Sequence, residues 1–220
     1  MQVFYLHGFA SSAASTKAGF FAARLRAHGI PVHTPDLNQP DFATLTVSRM
    51  VDQVTSAIDL IPPAESVVLI GSSLGAFVAV QLALKRPGRI AKLVLLAPAL
   101  DFGGGRSRPL GDRDVEQWKA TGFTNVFHYG YGRMMPVGYE LYTDACGYDC
   151  ADAALDMPMQ IFQGRNDTVV DPVSVKRWAS VRPNVELHMV DDDHQLGGSL
   201  DDIWREAERF LALGQGAEGC

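Results

Sequence analysis

The pentapeptide Gly71-Ser72-Ser73-Leu74-Gly75 has the form G-x-S-x-G, and its surroundings give it chemical meaning. The apolar run Val67-Val68-Leu69-Ile70 reads as a buried strand and Leu74 to Leu84 as a helix, which puts Ser73 at a strand-to-helix turn. Such a turn is tight and strained, so the residues beside the serine must be small, as Gly71 and Gly75 are. Ala76 and Ala79 then let the helix pack closely on the sheet. The turn lifts a hydroxyl over the C-terminal end of the strand, at the positive end of a helix, where a nucleophile is placed. The simpler reading of the same residues is that Ser72 or Ser73 only caps the helix.

A serine hydroxyl attacks poorly until a base takes its proton, and the base needs a partner that fixes its tautomer. Two later stretches supply these types. Asp167 ends Gln163-Gly164-Arg165-Asn166-Asp167, directly after an apolar strand, and His194 follows the next strand. Each has rivals. Asp171 precedes Pro172 and suits a helix cap, Asp101 also follows a strand end, and Asp191, Asp192 and Asp193 are too near His194 to orient it easily. Among the six histidines, His28 falls at a helix end, His33 and His188 on strands, and His128 in an irregular region, whereas His194 occupies the loop after the last strand.

Acyl transfer also needs donors for the developing oxyanion. The backbone N–H of Leu74 is one by its position after the serine, and the loop His7-Gly8-Phe9 after the first strand brings the N–H of Phe9 as the other. His7 can be read as a second base, but a histidine there more simply braces its loop by hydrogen bonding. Ser11 and Ser12 either contact substrate or satisfy the backbone of a turn.

The elements that must position these groups are legible in order. Gln2 to Leu6 is a strand, Thr16 to His28 a helix stopped by Gly29, Pro31 to Thr34 a short strand, and Thr44 to Ile61 a helix. Lys92 to Leu96 is a strand, as are Met159 to Gln163 and Val185 to Val190; Pro172 to Val181 and Ser199 to Leu213 are helices. The last of these opens on Ser199 with Asp202 three residues on, the pattern of a capping box. Six strands alternating with helices predict a doubly wound, mostly parallel α/β sheet in a single domain covering 1–220. From about residue 100 to 157 the alternation lapses. Gly103-Gly104-Gly105 and Pro109 mark a loop there, Val115 to Ala120 a short helix, and the remainder is rich in Phe, Tyr and Met. Two readings stand for this insert: a lid that supplies an apolar pocket, or a satellite core beneath a long loop. Arg106, Arg108 and Arg133 could pair with a substrate carboxylate.

Composition narrows the class. With 220 residues, 47% apolar, the chain can bury a large core, and a net charge of −6 with a pI near 5.4 argues against nucleic-acid or anionic-membrane partners. No apolar run approaches a bilayer span, and His7 and Gly8 interrupt the N-terminal apolar run before it reaches signal-peptide length, so a cytoplasmic protein, monomer or homodimer, is the expectation. Cys146, Cys150 and Cys220 do not form a disulfide framework, and no histidine near the first two completes a ligand set, so neither a metal nor a cofactor is expected.

Leu6-His7-Gly8-Phe9-Ala10-Ser11-Ser12, Gly71-Ser72-Ser73-Leu74-Gly75, Gly164-Arg165-Asn166-Asp167 and the His194 loop resemble the α/β-hydrolase superfamily, in which the triad also runs Ser, Asp, His along the chain. The wording is most similar to its small bacterial YqiA-like serine esterases. The resemblance covers roughly residues 1–100 and 157–213. It implies a reduced α/β-hydrolase fold with a lid-like insert, a Ser73-His194-Asp167 triad, an oxyanion hole at Phe9 and Leu74, and cofactor-free hydrolysis of a small-molecule ester or thioester. Because the first strand read here is the one before the oxyanion loop, the expectation is a sheet without the first two strands of the larger members. A neutral imidazole is required as base, so the rate should rise through about pH 6–7, near the reference value of ~6.5. The same triad would serve a serine peptidase or acyltransferase, and a non-catalytic binding protein on the same scaffold is the rival from another class.

Overall fold

The computed structural model describes residues 1–103 and 112–213. The glycine-rich stretch from 104, Pro109, Arg106, Arg108 and the tail with Cys220 lie outside these residues. Six strands form one sheet: β1 (Gln2–Leu6), β2 (Val32–His33), β3 (Val67–Ser72), β4 (Ile90–Leu96), β7 (Met159–Gly164) and β8 (Val185–Val190). Their order is β2-β1-β3-β4-β7-β8, and every pairing is parallel. The mostly parallel sheet expected from the alternation is therefore wholly parallel. Its central strand β3 is buried at all six positions, which is why its sequence is a continuous apolar run ending in Gly71-Ser72.

Helices cover both faces. On one side Phe21 and Leu25 of α1 (Thr16–Ala27) and Ile203, Trp204, Ala207 and Leu211 of α7 (Leu200–Leu211) pack on Val3, Tyr5, Val68, Ile70 and Phe162. On the other, α2 (Val47–Asp59), α3 (Leu74–Lys85) and α6 (Pro172–Ser180) share a core with Phe4, Leu69, Leu93 and Ile161. Local signals set the ends. Ser15 caps α1 by accepting from the Ala18 N–H, Thr46 caps α2 through Arg49 N–H, and Asp171 caps α6 through Val173 and Ser174. Gly29, at φ +70°, closes the turn after α1. The Ser199 capping box does not form. Ser199 makes no side-chain cap, and its own N–H instead donates to Asp192 Oδ2 at 2.9 Å.

The region read as irregular contains α4 (Asp112–Thr121), the antiparallel hairpin β5 (Phe123–His128) and β6 (Arg133–Gly138), and α5 (Glu140–Ala145). Its inner face joins the main core: Trp118, Val137, Leu141, Ala145 and Cys150 are buried with α2 and α3. Its outer face leaves Phe123, Phe127 and Met134 exposed. The satellite-core reading thus describes the inner face, though the core is shared rather than separate.

Candidate active site

At the C-terminal end of β3 the chain turns at Ser73 with φ +51° and ψ −115°, backbone space that a side chain enters at a cost of about 1–3 kcal/mol. The surroundings fix this conformation. The Ser73 N–H donates to Leu96 O at 2.9 Å, and its carbonyl accepts from Ala76 at 3.0 Å. Both glycines of the motif are required by contact. A Cβ at Gly71 would stand 2.5 Å from the Ala76 Cα, and one at Gly75 only 2.1 Å from the Leu6 carbonyl oxygen. The elbow helix therefore lies directly against the end of β1 and its loop.

The structure brings Ser73, His194 and Asp167 into a line. His194 Nε2 is 3.2 Å from Ser73 Oγ, and His194 Nδ1 is 2.8 Å from Asp167 Oδ2. Asp167 is fully invested: Oδ2 also accepts from Gln163 Nε2 at 2.9 Å, and Oδ1 accepts from the Val169 and Val170 N–H groups, each at 2.8 Å. Burial alone pushes its carboxyl upward, but the hydrogen bonds from His194, Val170, Val169 and Gln163 outweigh it and hold the group below the usual carboxylate range. An ionised carboxylate accepts only, so Nδ1 carries a proton and Nε2 presents its lone pair to the serine. That is the arrangement of a base ready to take the hydroxyl proton.

The rival acids have other work. Asp192 Oδ1 accepts from Asp193 N–H, Asp193 Oδ1 from Gln195 N–H, and Asp191 Oδ1 from Asn166 Nδ2, so the acidic run braces the His194 loop. Asp101 is exposed and bonds to no part of His194 among the described residues. Gly164 permits the close approach of that loop, since a Cβ there would meet the Asp192 and Asp193 carbonyl oxygens at 2.5 Å. Two supports escaped the sequence reading. Gln163 is fully buried on β7 and holds Asp167, and Lys17 on α1 donates to Gln195 O at 3.0 Å. A glutamine at the end of the strand Met159 to Gln163, next to the Gly164 loop, was the available signal for the first; Lys17 gave none.

The loop after β1 passes the serine closely: a Cβ at Gly8 would lie 3.4 Å from Ser73 Cβ. His7 braces it, Nδ1 donating to Gly8 O at 2.9 Å and Nε2 accepting from Leu37 N–H at 3.0 Å. Burial is the main reason its imidazole sits below the ordinary value, opposed by Gly8 O and Asp36. Leu74 N–H is at the first position of α3, where no intrahelical acceptor exists, and neither it nor Phe9 N–H donates a hydrogen bond among the described residues. The hairpin reaches the same loop. Tyr129 N–H donates to Ala10 O at 2.8 Å, and Gly130 packs on Ser12. His128 is buried there, stacked on Tyr131 at 3.9 Å. Arg133 is exposed at the hairpin. Two surface depressions, at 151–156 with 181–184 and at 63–66 with 87–91, lie at the opposite, N-terminal edge of the sheet, away from Ser73.

A parallel six-stranded sheet, helices on both faces and a serine on a strained elbow define an α/β-hydrolase fold. The comparisons agree. The mouse alpha/beta hydrolase domain-containing protein 10 superposes with a TM-score of 0.76 at 18% identity, covering 96% of this chain and 89% of that one. Ferulic acid-bound Est1E from Butyrivibrio proteoclasticus gives 0.81 at 16% identity, covering 96% and 88%. A monoacylglycerol lipase from Paleococcus ferrophilus gives 0.76 at 16%, covering 96% and 93%. Within that fold the chain belongs to the uncharacterised protein family UPF0227, whose model matches residues 2–212, in keeping with the YqiA-like resemblance of its motifs. Among curated proteins, lipase LipV of Mycobacterium tuberculosis (strain ATCC 25618 / H37Rv) is 37% identical over 87 residues, 38% of this chain and 33% of that relative's length. Among the described residues, no helix is long and apolar enough to cross a membrane.

Proposed function

We propose that the chain is a serine hydrolase that cleaves carboxylic esters or thioesters of small to medium apolar acyl groups. His194 takes the Ser73 proton as Oγ attacks the acyl carbonyl. The oxyanion is held by the Phe9 and Leu74 N–H groups, which have no other acceptor among the described residues. The carbon–oxygen or carbon–sulfur bond of the leaving group breaks, His194 returns the proton to it, and an acyl-enzyme remains on Ser73. Water, deprotonated by His194, then releases the carboxylic acid and restores the serine.

The observation that carries this reading is the Asp167–His194–Ser73 line, with its two contacts of 2.8 and 3.2 Å made by residues from three separate strand ends. Lipases and esterases among the similar proteins support it. The apolar acyl preference rests on the aromatic surroundings. Phe9 packs against Phe42 at 5.4 Å, and the hairpin that joins the Phe9 loop carries Phe127, Tyr129 and Tyr131, which supports the insert as a cover over the acyl group.

A fluorophosphonate probe is expected to label Ser73 stoichiometrically, and Ser73→Ala to abolish both labelling and turnover of a p-nitrophenyl ester while circular dichroism is unchanged. An unlabelled serine in the folded chain would sink the proposal. Faster turnover of an aminoacyl anilide than of the ester would move the assignment to a peptidase.

A further inference from the structure

At the far edge of the sheet, on the face covered by α7, three ligand-type side chains converge outside the active site. One ligand atom each from Glu186 and His188 on β8 and Glu206 on α7 lies within 4.8 Å of the others. Parallel pairing aligns Gln160 with Glu186 and Phe162 with His188, so Gln160 shares this face, and it is 1% exposed.

The two neighbours of His188 Nε2 make incompatible demands. Glu186 Oε1 at 2.7 Å requires Nε2 to carry a proton. Gln160 Nε2 at 3.2 Å is itself a donor and requires Nε2 to be bare. Meanwhile Gln160 Oε1 is buried with no partner among the described residues. Which end of an amide carries oxygen is assigned from its partners, so the two ends can be exchanged. With the oxygen turned toward the imidazole, Gln160 sets an amide oxygen beside a bare His188 Nε2, which already lies within 4.8 Å of one oxygen from each of the two carboxylates. Four acceptors and no donor describe a cation site.

The geometry points to a structural site for a zinc-class divalent transition metal at His188 Nε2, Glu186, Glu206 and Gln160 Oε1. Bonds of about 2.0–2.1 Å in a tetrahedron place neighbouring ligand atoms about 3.3–3.4 Å apart. The 3.2 Å between Gln160 and His188 already matches that edge, and the 2.7 Å pair opens by a small movement of exposed Glu186. Glu206 also pairs with Arg209, which occupies one carboxylate oxygen and leaves the other. An imidazole among oxygen ligands selects zinc, cobalt or nickel over magnesium and calcium. The ion would clamp β8 to α7, the two elements that flank the loop carrying His194. The site is independent of whether Ser73 is a nucleophile, and its test does not use activity.

Chelator-treated full-length protein is titrated with ZnCl2 by calorimetry, alongside thermal unfolding. One saturable equivalent is expected with a dissociation constant in the micromolar range. At a hundredfold excess of zinc over that constant the unfolding midpoint should rise by about 5–10 °C. Glu186→Gln, at an exposed position where folding is not at risk, and Glu206→Gln should each weaken binding about tenfold or more. Magnesium and calcium should give no shift. Absence of saturable zinc binding, which a simple amide exchange at Gln160 would produce, overturns the proposal. So does binding undiminished in both variants, as from Cys146, or an equal response to magnesium.

Discussion

The loops at the C-terminal rim of the sheet and the β5–β6 hairpin lie against each other, yet they are built on opposite terms. At the rim the acids and the backbone around them are tied by hydrogen bonds. Asp167 accepts four hydrogen bonds, the acidic run 191–193 ties its own loop, and Gly71, Gly75 and Gly164 leave no space for a Cβ. The hairpin is fixed on one face only. Val126 and His128 point inward, while Phe123 and Phe127 on alternate positions meet solvent. The rim is thus held by close contacts on every side, whereas packing constrains only the inner face of the hairpin.

Substitutions can break or sharpen that contrast. The largest effect is expected at the rim. Asp167→Asn keeps the shape but offers a donor to Nδ1, favouring the wrong tautomer of His194, and should lower ester turnover on the order of 10³–10⁴-fold with the unfolding midpoint little changed. A drop below tenfold would mean that Asp167 does not orient the base. At the hairpin's inner face the effect is on stability. Trp118 is 2% exposed, donates to Val137 O at 2.9 Å and packs edge-on against Tyr139, so Trp118→Ala should cost about 3–5 kcal/mol in urea unfolding.

A third test concerns the seam where the two regions meet. Burial is the main cause that holds His7 and His128 below the ordinary imidazole value. As pH falls through about 6.5 the unfolded chain takes up protons at these positions before the folded chain does, so stability falls with it. The depressed carboxyl of Asp167 adds a second loss below about pH 4, where the unfolded carboxylate protonates first. The urea midpoint should therefore drop between pH 7.5 and 5.5, and His128→Phe should make that drop smaller. A drop of unchanged size in the variant would show that His128 ionises freely in the folded protein. The smallest effect belongs to the outer face. Phe123, 55% exposed, should tolerate Phe123→Ser within about 0.5 kcal/mol, a change to be read from the same urea curves.

Much of the frame was legible because its strands are buried on both faces, and continuous apolar runs such as Val67 to Ile70 and Leu93 to Leu96 cannot be mistaken for surface. The hairpin was not legible, because β5 turns Thr124, Val126 and His128 inward and Phe123 and Phe127 outward, so its alternation points the larger apolar residues the wrong way. The capping box at Ser199 loses its reciprocal half because Asp192, and not Asp202, accepts from the Ser199 N–H. Similarly, the partner of Gln160, His188 on β8, depends on which strand lies beside β7, a fact of sheet order that no local pattern contains.

The sequence by itself determined the strand-and-helix alternation, the small residues that a strained turn at Ser73 demands, and the residue types at the strand ends, because these follow from backbone sterics and the period of burial. Only the tertiary structure decided that residues 73, 167 and 194 meet, which of several aspartates faces the imidazole, and that Glu186, His188 and Glu206 converge at the sheet edge. Those outcomes depend on strand order and helix placement, which are set by the packing of the whole core.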